Sequence, residues 1–459
     1  MTFFCRHIVF VLMSLMFGFL PAQGKFFLKE DVSKKIEFQF INNLIIVPIE
    51  INGVKLSFVL DTGVSKPILF NLSEKDSLDL KNVETFYLHG LGGDGKIQAI
   101  KSSYNKLKIG DAIGLKQDVY VVFDRDINFA SRLGVLVHGI IGYNIFKDFV
   151  VEINYGSEYI RLYKPDSYRP KISRKWETIP LKIYNKKPYI NARVNIEESI
   201  NKVKLLIDTG SSDALWLFEE TELGIEPNED LFFEDYLGKG LSGSVYGKRS
   251  KVDMFSISEF DLKNVNVAFP DSLSVDITKT TRNRKGSLGG EILKRFRLFF
   301  DYTHERLYLK KNNMFKDPFT YNNSGIVFEN DGFTFFKEKV IIPVKTNYGK
   351  HEGSSTSANS GVAFKLRDLV NYRTRLKPLF KIVELRKSSN AYLVGLKIGD
   401  LLVGINGKKV GEKTTLAQIN EDLYGKTGRT IRLSVMRNGQ IIRFKFKLDN
   451  AFKKEEHSN

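Results

Sequence analysis

One short pattern occurs twice in this chain. Leu56-Ser-Phe-Val-Leu-Asp61-Thr62-Gly63-Val64-Ser65 returns 147 residues later as Val203-Lys-Leu-Leu-Ile-Asp208-Thr209-Gly210-Ser211-Ser212. The same offset carries Ile140-Ile141-Gly142 onto Ser287-Leu288-Gly289, Tyr155 onto Tyr302 and Glu158 onto Glu305. Between these landmarks each half has a glycine-rich stretch, Gly90-Leu91-Gly92-Gly93 in the first and Gly238-Lys239-Gly240 in the second. A lone Asp-Thr-Gly is common by chance, but four landmarks in register are not. The chain therefore holds two copies of one folding unit, each of roughly 140 to 150 residues.

Each copy reads as strands. Ile45 to Asn52 and Lys55 to Leu60 are apolar-rich runs parted by Asn52-Gly53, a hairpin signal. Val119 to Phe123 and Val150 to Tyr163 continue the pattern, the latter bent at Tyr155-Gly156-Ser157. The second copy repeats it with Ile190 to Asn195, Val203 to Ile207 and Leu298 to Leu309, after a basic linker from Tyr168 to Lys175. The expected class is mainly β, with lobes at 25–167 and 168–318.

A strand that ends in Asp-Thr-Gly has a physical logic. The aspartate leaves a buried strand and enters a cleft. The glycine permits a sharp turn and can aim its N–H at the carboxylate. The threonine hydroxyl can tie one such loop to another. Two loops face to face bring two carboxylates within a few ångströms, where both cannot ionise easily and one proton is shared. One aspartate then activates water as a base while the other protonates a carbonyl oxygen. Asp61 and Asp208 are the candidate catalytic pair, supported by Thr62, Gly63, Thr209, Gly210 and Ser211.

On these residues the chain resembles the pepsin-like and retropepsin-like aspartic peptidases over about residues 40 to 312. The resemblance implies two β-barrel lobes and peptide-bond hydrolysis without a cofactor or metal. It also implies an apolar-apolar-glycine segment behind each active-site loop, which Ile140-Ile141-Gly142 supplies and Ser287-Leu288-Gly289 supplies with a serine in an apolar place. Glycine-tipped flaps over the substrate would lie at Phe86 to Tyr104, with Gly90, Leu91, Gly92 and Gly93, and at Tyr236 to Tyr246, with Gly238, Lys239 and Gly240. After the motif's glycine the family carries Ser, Thr or Ala; Ser211 fits and Val64 does not. Only Asp208 would then have a hydroxyl donor, which biases the shared proton toward Asp61. One chain holds both aspartates, so a monomer suffices for catalysis and a protein or peptide is the expected substrate. The competing reading is an inactive scaffold of the same shape that only binds proteins or peptides.

Beyond Asn312 the composition changes. His351 to Gly361 is polar and rich in glycine and serine. Phe380-Lys-Ile-Val-Glu-Leu385, then Gly395-Leu, Gly399-Asp400, an apolar run and Asn406-Gly407, resemble a PDZ domain of bacterial type, at 319–450. Thr414 to Tyr424 would be its long helix, and Ile431 to Leu448 a hairpin turning at Asn438-Gly439. PDZ domains bind extended peptides by strand addition. The resemblance implies a capture loop at Lys377 to Phe380, with Leu379, Phe380 and Ile382 lining the groove. Pro378 lacks an N–H, which weakens capture of a terminal carboxylate. The other reading is a PDZ fold that only packs against the peptidase.

The N-terminus reads as a secretory signal: Arg6, an apolar stretch from Ile8 to Leu20, and small residues at Ala22 and Gly24. The apolar run is shorter than the roughly 20 residues a bilayer requires. The mature chain, from about residue 25, is thus expected outside the cytoplasm, periplasmic or secreted, with no stable membrane span. Cys5 is the single cysteine and falls inside that segment, leaving no disulfide and no thiol nucleophile afterwards. The net charge of +17 comes from lysines and arginines scattered through every segment, usually beside Asp or Glu, without a compact basic stripe. That pattern reads as a solvated exterior rather than a nucleic-acid surface. The last stretch, 451–459, reads as a polar tail.

Overall fold

The computed structural model describes residues 24–70, 72, 78–89, 96–123, 129–170, 173–197, 199–240, 243–271, 283–342 and 369–452. The signal-like segment, Gly90 to Gly93 and His351 to Gly361 lie outside them. The chain divides into two compact units, one of residues 1–322 with 450–459, the other of residues 323–449.

The first unit is almost wholly β. Its two repeats build matching sheets. In the first, Leu44–Ile51 pairs with Val54–Leu60, which continues to Gly139–Ile141, Ile68–Leu69 and Ala112–Val122, with the long hairpin Val83–His89 and Lys96–Ile109 at the other side. In the second, Lys187–Ile196 pairs with Ser199–Ile207, followed by Arg284–Leu288, Leu215–Leu217, Phe260–Pro270, Gly243–Ile257 and Phe233–Gly240. Asn52 and Gly53 both take positive φ, 49° and 94°, the left-handed pair a two-residue hairpin turn needs. In Leu44–Ile51, Ile45, Val47, Ile49 and Ile51 face the large core shared by both repeats, while Ile46 faces a second cluster with Val59, Ile68 and Phe70. Strand alternation thus places a central strand between two apolar layers.

A six-stranded sheet joins the repeats: Glu177–Pro180, Arg306–Lys311, Phe296–Asp301, Val150–Asn154, Tyr159–Tyr163 and Ile36–Glu37. Its central pair is antiparallel, with Val151 opposite Phe300 and Ile153 opposite Leu298. The repeat offset carries Val151 to Leu298 and Ile153 to Phe300, so each residue pairs with the copy of the other. A local twofold axis therefore passes through the central pair, Glu152 and Phe299. Glu158 and Glu305, equivalent residues after equivalent turns, share a left-handed backbone with φ of 47° and 52°. Phe452, in the stretch expected to be a polar tail, is buried, with its ring 5.2 Å from Phe233 and 5.9 Å from Tyr321.

Among the described residues, the second unit is a sheet with two short helices. Ile326–Ile342 and Leu369–Leu385 form a long antiparallel hairpin, followed by Leu401–Ile405, Thr430–Arg437 and Gln440–Lys447. Helix Leu416–Leu423 opens with a reciprocal cap: Gln418 N–H donates to Thr415 Oγ1 and Thr415 N–H to Gln418 Oε1. Leu416, Ile419 and Leu423 form its buried face. Asn438-Gly439 turns as expected, with φ of 50° and 78°. Asp400 is buried and takes a bidentate pair from Arg437, at 2.6 and 2.7 Å.

The expected groove residues sit elsewhere than the sequence reading placed them. Lys377 to Phe380 is not a loop but part of Leu369–Leu385, with Pro378 opposite Phe333 and Phe380 opposite Asn330. Phe380 and Ile382 are buried in the unit's core and Leu379 is half-buried beside them. The reason is position in the sheet: this strand has Ile326–Ile342 on one side and Leu401–Ile405 on the other, so its apolar run packs inward. Helix Leu416–Leu423 lies against the edge strand Ile326–Ile342 instead.

Candidate active site

Asp61 and Asp208 follow directly on the buried strands Val54–Leu60 and Ser199–Ile207. Each backbone turns in the same way. Asp61 N–H donates to Ile141 O at 2.8 Å, and Asp208 N–H to Leu288 O at 2.9 Å. Val64 N–H returns to Asp61 O and Ser211 N–H to Asp208 O, both at 3.3 Å. Behind the loops run Gly139–Ile141 and Arg284–Leu288, parallel to the aspartate strands, with Ile141 beside Leu60 and Leu288 beside Ile207. A Cβ on Gly142 would lie 1.8 Å from Asp61 O, which excludes any side chain there.

The threonines lock the loops together. Thr62 N–H donates to Thr209 Oγ1 at 3.0 Å and Thr209 N–H to Thr62 Oγ1 at 3.1 Å. Each hydroxyl then donates across the axis, Thr62 to Ile207 O and Thr209 to Leu60 O, both at 2.7 Å. Both threonines are buried, so water cannot replace these four bonds. Gly63 N–H donates to Asp61 Oδ1 at 2.7 Å, and Gly210 N–H to Asp208 Oδ1 at 3.0 Å. Each carboxylate lies over the opposite loop's glycine: a Cβ on Gly210 would come within 2.3 Å of the Asp61 carboxyl, and one on Gly63 within 3.2 Å of the Asp208 carboxyl.

Asp208 stands close enough to Asp61 for its carboxyl to act on the Asp61 proton. Burial, followed by the charge of Asp208, pushes Asp61 well above the usual carboxylate range, against the opposing pull of the Gly63 N–H and of Lys187. Burial is thus the main cause that favours the protonated form of Asp61. Ser211 makes no hydrogen bond to Asp208, although both side chains are described. Val64 packs in the apolar cluster with Ile140. Tyr302 is buried close enough to Asp61 for that charge to reinforce the effect of burial in raising its phenol. The hydroxyls of Tyr302 and of its equivalent Tyr155 have no hydrogen-bond partner among the described residues.

Two glycine-bearing hairpins reach out from the repeats. Val83–His89 and Lys96–Ile109 pair out to His89 and Lys96, and the expected tip, Gly90 to Gly93, lies outside the described residues. Phe233–Gly240 and Gly243–Ile257 pair out to Gly240 and Gly243, so Gly238, Lys239 and Gly240 sit at the end of that hairpin. Its base is held by Arg249, buried between Asp213 at 2.9 Å and Asp235 at 3.2 Å.

Two residues that sequence reasoning passed over stand beside the dyad. Lys187 begins the strand next to that of Asp208, and Arg284 begins the strand behind it. Nothing in their local sequence marks them, because register alone brings them to the site. Among the described residues, no cluster of three His, Cys, Asp or Glu side chains is placed to hold a metal ion. No helix among them is long and apolar enough to cross a membrane.

Residues 47–145 match the model of a family described as Aspartyl protease. That stretch contains Asp61-Thr62-Gly63 and Ile140-Ile141-Gly142, and the threonine bonds extend its geometry to Asp208. Fold and site together have the form of a two-lobed aspartic-type hydrolase site. Among solved structures, the aspartic proteinase from Irpex lacteus aligns at 12% identity with a TM-score of 0.38, covering 62% of this chain and 99% of that one.

Proposed function

We propose that this protein is an aspartic endopeptidase that hydrolyses peptide bonds with a water molecule held between Asp61 and Asp208. The observation that carries this reading is the reciprocal threonine lock. It spends buried hydrogen bonds on holding two carboxyls face to face, an arrangement that serves no packing purpose. Asp208 accepts a proton from water as its oxygen bonds to the scissile carbonyl carbon. Asp61 gives its proton to the carbonyl oxygen. The tetrahedral diol then collapses, the C–N bond breaks, and the amine leaves with a proton returned through the dyad. No covalent enzyme intermediate is required.

The second unit is proposed to be a PDZ-like docking module for substrate or partner. Its corrected geometry favours a peptide added along the edge strand Ile326–Ile342 beside helix Leu416–Leu423, rather than one gripped by Leu379, Phe380 and Ile382. Blocking a ligand's C-terminus as an amide tests whether a terminal carboxylate is captured. A tenfold loss of affinity, about 1.4 kcal/mol, would show that it is. The signal-like N-terminus supports action outside the cytoplasm.

The deciding experiment incubates the mature protein with unfolded casein, with and without a statine-type inhibitor. Inhibitor-sensitive cleavage is expected. No cleavage by a folded protein over the acid to neutral range would favour the inactive scaffold.

A further inference from the structure

We propose that the second repeat selects an acidic side chain: Arg284 and Lys187 converge on the Asp208 side of the cleft and form a subsite for a substrate aspartate or glutamate next to the scissile bond. This rests on the peptidase reading and adds the substrate class to it.

Geometry comes first. Arg284 opens the strand that runs parallel to Ser199–Ile207 and on behind the Asp208 loop. Its side chain lies forward along that strand, Nε donating to Gly286 O at 3.0 Å and Nη2 to Ser287 Oγ at 2.6 Å. Ser287, the polar residue in an otherwise apolar motif position, thus acts as an anchor for the guanidinium. The pairing of Lys187–Ile196 with Ser199–Ile207 sets Tyr189 opposite Leu206. That pairing ends at Tyr189 and Leu206; carried two residues further, the same register would set Lys187 across from Asp208.

Both cations are costly to place here. Each is half-buried, and burial lowers the pKa of both. Among the described residues neither forms an ion pair with a carboxylate; the carboxylates whose charge they feel are Asp208 for Arg284 and both aspartates for Lys187. In the proposed mechanism one charge of that pair is neutralised by the shared proton. Two half-buried cations beside a single net negative charge leave room for a second anion.

The fold does not demand them. At the equivalent positions the first repeat has Val137 for Arg284, Ile140 for Ser287 and, by strand pairing, Leu44 for Lys187. Those apolar residues support the same loop, since Asp61 N–H and Asp208 N–H make the same bond to the strand behind. Polarity at these three sites is thus a property of the cleft wall, not of the scaffold. Lys66 and Lys186 extend the same sign: they repel each other, Lys66 sits over Phe86 and Tyr120 at 4.1 and 4.6 Å, and Lys186 lies over Tyr143 at 5.5 Å.

The test uses the full mature chain and matched peptides that differ only by Glu against Gln, or Asp against Asn, at each residue flanking the scissile bond. The acidic member should be cleaved with a kcat/KM at least tenfold higher at one of these positions. Arg284→Gln and Lys187→Gln should each erode that preference, Arg284→Lys should keep most of it, and Arg284→Glu should turn it toward a basic residue. Should Arg284→Gln fail to fold by circular dichroism, Lys187→Gln carries the test. Equal rates for the two members, or an acid preference untouched by both substitutions, would overturn the inference while leaving the peptidase reading intact. If no peptide is cut, the same pairs are titrated onto the Asp61→Asn chain by fluorescence anisotropy. Tighter binding of the acidic member would then support the subsite although the peptidase reading fails, and equal binding would overturn it.

Discussion

The two repeats agree in backbone and differ in what they show the cleft. Their loops make the same hydrogen bonds at the same offset, from Asp61 to Ile141 and from Asp208 to Leu288. Around those loops the first repeat is apolar, with Val64, Val137 and Ile140, and the second is polar, with Ser211, Arg284 and Ser287. On the shared sheet the axis itself is unequal. Glu152 is buried and takes bonds from Tyr159, Tyr163 and Arg297, while its counterpart Phe299 joins an aromatic cluster with Tyr168 and Trp176. Duplication supplies a symmetric frame because the threonine lock works only when both halves match. Side chains outside that lock are free to diverge, as Val64 against Ser211 and Val137 against Arg284 have.

Symmetry predicts that neither half can act without the other. Asp61→Asn and Asp208→Asn should each reduce turnover by about a thousandfold or more while the fold is kept. Mixing the two single variants should restore nothing, because the cleft lies within one chain. Substantial recovery on mixing would reveal a site shared between chains.

Next in size are the threonines. Thr62→Ala and Thr209→Ala each remove one donor and strand a buried N–H of the other loop, so each should destabilise by roughly 2–4 kcal/mol. Denaturant unfolding should show nearly equal losses. A large inequality would mean that the lock is held from one side and that the symmetric description is wrong.

The smaller effects probe the asymmetry. A cation beside a carboxyl favours its charged form, and Lys187 does this to Asp61. In Lys187→Gln, Asp61 should therefore hold its proton to higher pH. The mechanism needs Asp61 protonated, so the alkaline limb of the pH–rate profile should move upward. A downward shift would contradict the assignment of Asp61 as the acid.

Smallest of all is Ser211→Ala. The hydroxyl after the motif's glycine does not reach Asp208, so both limbs of the profile should stay in place. Movement of the acid limb would show that Ser211 turns in to bond Asp208 during turnover. Val64→Ser on the other side then becomes the informative counterpart.

Much of this protein was legible before folding. The repeat, the aspartates and their Thr-Gly partners, the hairpin turn at Asn52-Gly53 and the turn at Asn438-Gly439 are all local signals. A glycine with positive φ or a strand ending in Asp-Thr-Gly carries its geometry within a few residues. What stayed hidden depends on pairing between distant segments. Lys187 and Arg284 are ordinary basic residues until two strand registers carry them to Asp208, 21 and 76 residues away in the chain. The same holds for Phe380 and Ile382: their apolar run reads equally well as a groove wall or a core strand, and only a neighbour on each side of the strand decided for the core. Burial, not a local donor, is the main cause that raises Asp61, because desolvation is a property of everything packed around a group and no short motif encodes it.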